Sequence, residues 1–229
     1  PGHEDALRRW AQAYPDIGFG VVLPRVVWDR ELPRLRRELE AARQAGVTQA
    51  LLGHIGQLPL ARSFGLIPRG DFGLGLTNDE TAAELARLGF ASATASFESR
   101  LAQIRDLSKP LDLELLVYGR LPLMLMEHCI LRNRGQGCHC QDKPQSLGDR
   151  KGEHFPVESA WGCRNELFNA KPLWLADKTD WRTAGAAYAR LAFLREGPGE
   201  CARVFRAYRE GAGEPPRAFT RGLYYRGVE

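Results

Sequence analysis

Five cysteines, all in the second half of the chain, are the residues best suited to chemistry: Cys129, Cys138, Cys140, Cys163 and Cys201. Three of them fall within "MEHCILRNRGQGCHC" (126–140), among arginines and glycines instead of a core-like apolar pattern. A lone cysteine is commonly a small buried hydrophobe, but five together call for another account. A cytosolic setting disfavours structural disulfides and favours metal binding or catalysis. Cys138 and Cys140, separated by one residue, make a poor zinc knuckle, because paired zinc thiolates stand about two to four residues apart. An iron–sulfur cluster relaxes that geometry, since each thiolate binds a different iron atom and ligands come from separate chain segments. The reading is a 4Fe-4S cluster on four of the five cysteines, with zinc as the alternative and a catalytic thiol as a third option. His139 reads as a loop histidine, with zinc ligation or a thiolate partnership as its alternatives.

The elements that must position these thiols follow from the rest of the chain. At 229 residues, 44% hydrophobic and 26% charged, with a mean hydropathy of -0.35, it suits one sizeable α/β domain or one domain with an appendage. No apolar run approaches the ~18 to 20 residues that cross a bilayer, and residues 1 to 20 lack a signal peptide's layout. A cytoplasmic protein without a membrane partner is expected. The first ~120 residues alternate strand and helix signals, which argues βαβ units around a parallel sheet. Strands are expected over 19–28, "VTQALLGHI", 71–78, "FASATAS" and 111–119. Helices are expected over 29–46, about 57–64, 79–89 with Asn78 or Asp79 as cap, and "FESRLAQIRDL".

About five strands are two or three short of an eightfold barrel. The fold class expected is therefore α/β, a partial TIM-type (β/α) barrel corresponding to a C-terminal part. It would carry an irregular cysteine-rich β elaboration and two C-terminal helices, over 179–197 and from Cys201. The domains read as a half-barrel region, 1–126, and a cysteine-rich cluster-binding region with helices and tail, 127–229. The start "PGHEDALRRWAQAYPD", without an initiator methionine, favours a fragment and equally fits an omitted tag or leader. An exposed half-barrel edge would demand a cover, from a second copy or from an N-terminal part of the same protein.

The net charge of +4 and pI near 8.9 permit a polyanionic partner without requiring one. From Arg203 onward, arginines alternate with aromatics, a combination that grips phosphates and stacks on bases. Arg203, Arg206, Arg221 and Tyr224 are the candidate RNA contacts. A solvated helix face followed by a packed terminal strand is the plainer alternative, since Glu200, Glu210, Glu214 and Glu229 dilute the patch. His54, Asp71 and Asn78 stand at expected strand C-termini, where barrel sites are built. Glu114 and Arg120, with Glu127, form a pair that could position a substrate carboxylate or brace a loop. Ser96, His54 and Asp71 assemble a triad only on paper, without a nucleophile elbow. "GDFGLG" lacks the sequel of a phosphate loop, and no H-E-x-x-H signature is present.

The stretches "ELLVYGRLPLMLMEHC" (114–129), "GCHCQDKPQSLGDRKGEHFPV", "WGCRNELFNAKPLWLADK" (161–178) and "FTRGLYYRGV" (219–228) resemble peptidase family U32, the collagenase-like proteases. "LPRV" (23–26) and "GDFGLGLTN" (70–78) fit the same family's barrel strands, and the likeness is closest to long members with an inserted domain. The resemblance implies one of two activities. One is a collagenase-like peptidase, with metal dependence an option. The other, favoured here, is an iron–sulfur-dependent, oxygen-independent hydroxylase acting on a tRNA or rRNA base, related to enzymes of a ubiquinone precursor. A metal-clipped half-barrel without its own activity is a further alternative. The resemblance implies cluster ligands at Cys129, Cys163 and Cys201, whose last interval matches the family's. Cys138 or Cys140 would be the fourth, Cys138 preferred. The chain departs from the family at His54 and Gly75, where asparagines are expected, and over 96–99.

Overall fold

The computed structural model describes residues 4–132 and 144–226. The chain divides into two compact units: the described residues up to Ser96 with Asp106–Glu114, and Phe97–Arg105 with the described residues from Leu115 onward. Among the described residues no helix is long and apolar enough to cross a membrane.

The first unit alternates helix and strand. Its elements are α1 (Glu4–Ala13), β1 (Gly20–Val22), α2 (Leu32–Gln44), β2 (Gln49–Leu52), α3 (Leu58–Ser63), β3 (Ile67–Gly70), α4 (Asp79–Arg87), β4 (Ser92–Thr94) and the first residues of β5 (Asp112–Gly119). The strands lie in the parallel order β1-β2-β3-β4-β5. Apolar spacing makes α2 amphipathic, and it buries Leu35 and Leu39. The Asn78 side chain caps α4, accepting from the backbone N–H of Thr81 at 2.9 Å, and Gly89 ends the turn at φ 75°.

The two faces of this sheet differ in chemistry. Ala50, Leu52, Ala93 and Leu113 alternate onto one buried face. The opposite face carries Gln49, Arg69, Ser92, Thr94 and Glu114 together with Leu51 and Ile67. There the Arg69 guanidinium donates to Gln49 Oε1 and, at 2.8 Å, to Ser92 Oγ.

Two expected elements are corrected here. Residues 71–78 are no strand: Phe72–Leu74 form a single 3-10 turn that closes on Gly75 at φ 65°, and only Leu76 bridges, to Ala95. The strand lies just upstream, in β3, where Pro68 gives up a donor but still accepts from Ala91 N at 2.9 Å. The strand expected over 19–28 is confined to Gly20–Val22.

In the second unit the later part of β5 pairs antiparallel with β10 (Leu173–Trp174) and also pairs with β11 (Tyr188–Ala192). A separate antiparallel sheet runs in the order β6 (Pro122–Met126), β9 (Arg164–Phe168), β8 (His154–Ala160), β7 (Gln145–Gly148). One helix, α5 (Leu101–Asp106), is tied to the C-terminal segment where Leu101 N donates to Tyr224 O at 3.0 Å. The other, α6 (Pro198–Glu210), buries Val204, Ala207 and Tyr208. Tyr208 sits edge-on to Trp174, centroids 5.5 Å apart. Its hydroxyl donates to Val117 O at 2.6 Å and accepts from Leu175 N at 2.7 Å. That bond pattern fixes α6 to β5 and β10 through a fully satisfied phenol.

The expectation of two C-terminal helices is overturned in part. Residues 179–197 hold a short 3-10 turn, Asp180–Thr183, and then strand β11; only α6 is an α-helix. Gly185 at φ 77° breaks the chain away from helical geometry, and pairing with β5 satisfies the backbone that alanine-rich propensity would have coiled.

Candidate functional site

Two of the three described cysteines, Cys129 and Cys163, stand on segments of the β6-β9-β8-β7 sheet, and the third, Cys201, belongs to α6. Cys129 follows β6, in a stretch fixed by Asn165. That fully buried side chain accepts from Ile130 N at 2.8 Å and Leu131 N at 3.5 Å. Cys163 ends the turn between β8 and β9. Its thiol is exposed and its backbone sits at φ 62°, the one left-handed non-glycine among the described residues, directly after Gly162 at φ 70°. Such a conformation costs about 1–3 kcal/mol in a residue with a Cβ and persists where the surroundings over-determine it. Next to it Arg164, almost fully buried, holds Glu127 through two bonds of 2.5 and 3.1 Å and donates to Trp161 O at 3.0 Å.

Cys201 lies in the first turn of α6, half-buried, its thiol donating to Glu196 O at 3.6 Å. The loop before it is tied to the same sheet. Arg195 pairs with Glu158 of β8 and donates to Gln145 O at 2.6 Å and Val157 O at 3.2 Å. Burial pushes the Glu196 carboxyl up, but the N–H groups of Leu194 and Arg195 and the Tyr118 hydroxyl outweigh it. The group is held below the usual carboxylate range. Cys138 and Cys140, with His139, lie outside the described residues, within the stretch that joins Arg132 to Pro144. Among the described residues no three His, Cys, Asp or Glu side chains group as metal ligands.

Four other candidates belong to the first unit, His54 and Asp71 just after β2 and β3, Glu114 near the start of β5 and Asn78 at the start of α4. His54, exposed, follows β2 and lines a cleft of about 520 Å³ with Ile55, Leu74, Glu80, Thr81 and Glu84. Asp71, 5% exposed, follows β3 and accepts from Phe72 N at 2.9 Å. Glu114 accepts from the buried Thr94 hydroxyl at 2.7 Å, and the same hydroxyl lies 3.1 Å from Gly70 O. Asn78 spends its side-chain oxygen on the α4 cap.

No protein-family model, curated protein or solved structure matches the chain.

The remaining candidates belong to the second unit. Arg120 donates to the carbonyls of Asn169, at 3.0 Å, and Ala170, which makes it the brace of that turn. Arg203 and Arg206 are exposed on α6, Arg203 also donating to Glu214 O at 3.1 Å. Arg221 binds Asp177 through two bonds of 2.5 and 2.6 Å and reaches Trp174 O at 2.6 Å. Tyr224 is 2% exposed and donates to Leu116 O at 2.8 Å, so its ring is core and presents no face for stacking. The sequence reading missed Asn165 and Arg195, which position the cysteine loops. Asparagine inside a strand run is the one available signal for the first, because strands disfavour it unless its amide is employed. Nothing local marks Arg195.

Proposed function

We propose that this chain is an iron–sulfur protein of the U32 kind, an oxygen-independent hydroxylase acting on a base in RNA. The observation that carries the reading is the common attachment of the cysteines. Cys129 and Cys163 stand on segments of one four-stranded sheet held by Asn165 and Arg164, and Arg195, in the loop that leads into the Cys201 helix, is bonded to the same sheet. The stretch bearing Cys138 and Cys140 connects β6 to β7 of that same sheet.

By type the donors suit the group, although Cys129, Cys163 and Cys201 are not gathered as one ligand set in this structure. An all-sulfur set suits iron–sulfur or zinc, and an exposed thiol at a left-handed position is a costly arrangement that a ligand role explains. Cys129, Cys163 and Cys201, with Cys138 or Cys140, would hold a 4Fe-4S cluster. When bound, such a cluster supplies one-electron chemistry. The chain's own part is positional. Asn165 fixes the backbone beside Cys129, Arg164 stiffens the turn at Cys163, and the Cys201 thiol, in its protonated form, rests against the Glu196 carbonyl. For the strands of the first unit we propose a partial TIM-type barrel, whose interior the polar face of Gln49, Arg69, Ser92 and Glu114 would line.

Anaerobic purification followed by absorbance and metal analysis tests the reading. Broad absorbance near ~400 nm with iron and sulfide bound is the expected result. Colourless protein carrying a single zinc would overturn it.

A further inference from the structure

The C-terminal segment forms one wall of a cleft of about 410 Å³ in the second unit, lined by Lys178, Phe219, Thr220, Arg221, Tyr225 and Arg226, with Gly222 between them. Three of these residues are cationic, two are aromatic and none is acidic. The three cations play different parts. Arg221 is neutralised by Asp177 and its guanidinium stacks over the Phe219 ring, 4.7 Å from the centroid. Lys178 and Arg226 make no ion pair among the described residues, and Lys178 acts on Asp177 only through space. Among the described residues the carboxylates of Asp177 and Asp180 are engaged, Asp177 with Arg221 and Asp180 with the Tyr225 hydroxyl at 2.8 Å. That last bond fixes a ring that is 41% exposed.

Free cations beside immobilised aromatic rings recognise an anion joined to a flat group, which is the chemistry of a nucleotide. We propose that this cleft seats one nucleotide of single-stranded RNA, its phosphate on Lys178 and Arg226 and its base against Phe219 and Tyr225. The inference rests on the RNA reading of the function and moves the contact surface. Tyr224, suggested by the sequence, is core, and its neighbour Tyr225 takes its place. Arg221 orders the Phe219 ring instead of gripping phosphate. A cavity of this size holds one nucleotide, so the rest of the strand would run along the surface beyond it.

The test uses the full chain, prepared anaerobically, and a short fluorescent single-stranded oligoribonucleotide titrated at several salt concentrations. Affinity is expected to fall with salt. Lys178→Ala and Arg226→Ala should each flatten the log–log salt slope by about 0.7, one phosphate's worth for a single strand, and Lys178→Arg should restore it. Phe219→Leu is expected to weaken binding roughly five- to hundred-fold at unchanged slope. Unaltered absorbance and tryptophan emission in each variant exclude misfolding. RNA binding that ignores all of these substitutions overturns this cleft while leaving the RNA reading intact; absence of RNA binding by the unaltered chain overturns both. Full competition by inorganic polyphosphate, with Phe219→Leu silent, would reveal a bare anion site and also sink the proposal. Colourless protein whose RNA binding still responds to these substitutions supports the cleft and removes only the cluster.

Discussion

Glu127 and Arg164 are unequal partners, and that asymmetry is testable. Arg164 is 2% exposed whereas Glu127 keeps 55% of its side-chain surface in water. Removing the carboxylate takes two charge-assisted bonds from a buried guanidinium that also donates to the Trp161 carbonyl. Glu127→Ala is therefore expected to cost about 3 kcal/mol in denaturant unfolding. Glu127→Gln should recover part of that through its amide oxygen. A loss no larger than an ordinary surface substitution would show that Arg164 has another way to be satisfied. The Asp177–Arg221 pair makes a milder statement, because both side chains are partly solvated. The Arg221 guanidinium bonds to Asp177 and holds its carboxyl below the usual carboxylate range. A depressed folded pKa contributes stability above the unfolded value, about 3.9, and loses it as pH falls through the folded one. Asp177→Asn should accordingly lower the melting temperature slightly at pH 6, by the equivalent of under about 1 kcal/mol, and the gap should close as pH falls through the folded value. A gap that widens in acid would refute the sign.

At the level of elements, the glycine that lets β5 and β11 approach is Gly119. It sits at φ 124°, and an added Cβ would lie 2.2 Å from the carbonyl oxygen of Ala192. That neighbour is backbone, so it cannot rotate aside. Gly119→Ala is expected to destabilise by about 3 kcal/mol or more, from backbone strain and lost pairing together. Gly152, at φ 80° with open space around it, is the control. Its substitution should cost only about 1–2 kcal/mol, the left-handed penalty alone. Equal losses at the two positions would mean that β11 does not depend on close approach. The same strand marks where sequence reasoning stops. Alternation of helix and strand through the first unit, the Asn78 cap and β5 were legible because each is written in local periodicity and capping residues. Residues 188–192 were not, since an alanine-rich run becomes a strand only when β5 offers an edge. β3 was hidden by a proline whose missing donor falls where the ladder does not need it. Among candidate site residues, the cysteines stand out by type, whereas the bonds of Asn165 and Arg195 around them depend on contacts some 35 to 50 residues apart.

For the whole molecule, tryptophan placement supplies an independent test of the proposed metal binding. Trp10 and Trp28 in the first unit are 58% and 47% exposed, so unfolding changes their surroundings little. Trp174 and Trp181 in the second are 0% and 6% exposed and lose a dry environment on unfolding. A red shift of tryptophan emission therefore reports chiefly the unit that carries the cysteines. A group bound to the native state and not to the unfolded chain stabilises by linkage, and ligands drawn from separate segments are brought together only by folding. Stripping iron under reducing, anaerobic conditions should lower the temperature of the emission shift, and reconstitution with iron and sulfide should restore it. Cys163→Ser in the iron-loaded protein should move the midpoint in the same direction. The helix signal of the first unit, built on α1 to α4 without any cysteine, should respond less. If iron removal leaves the emission midpoint unchanged, the thiols of Cys129, Cys163 and Cys201 are not tied together through a metal in the folded protein. The left-handed Cys163 would then need an explanation from packing alone.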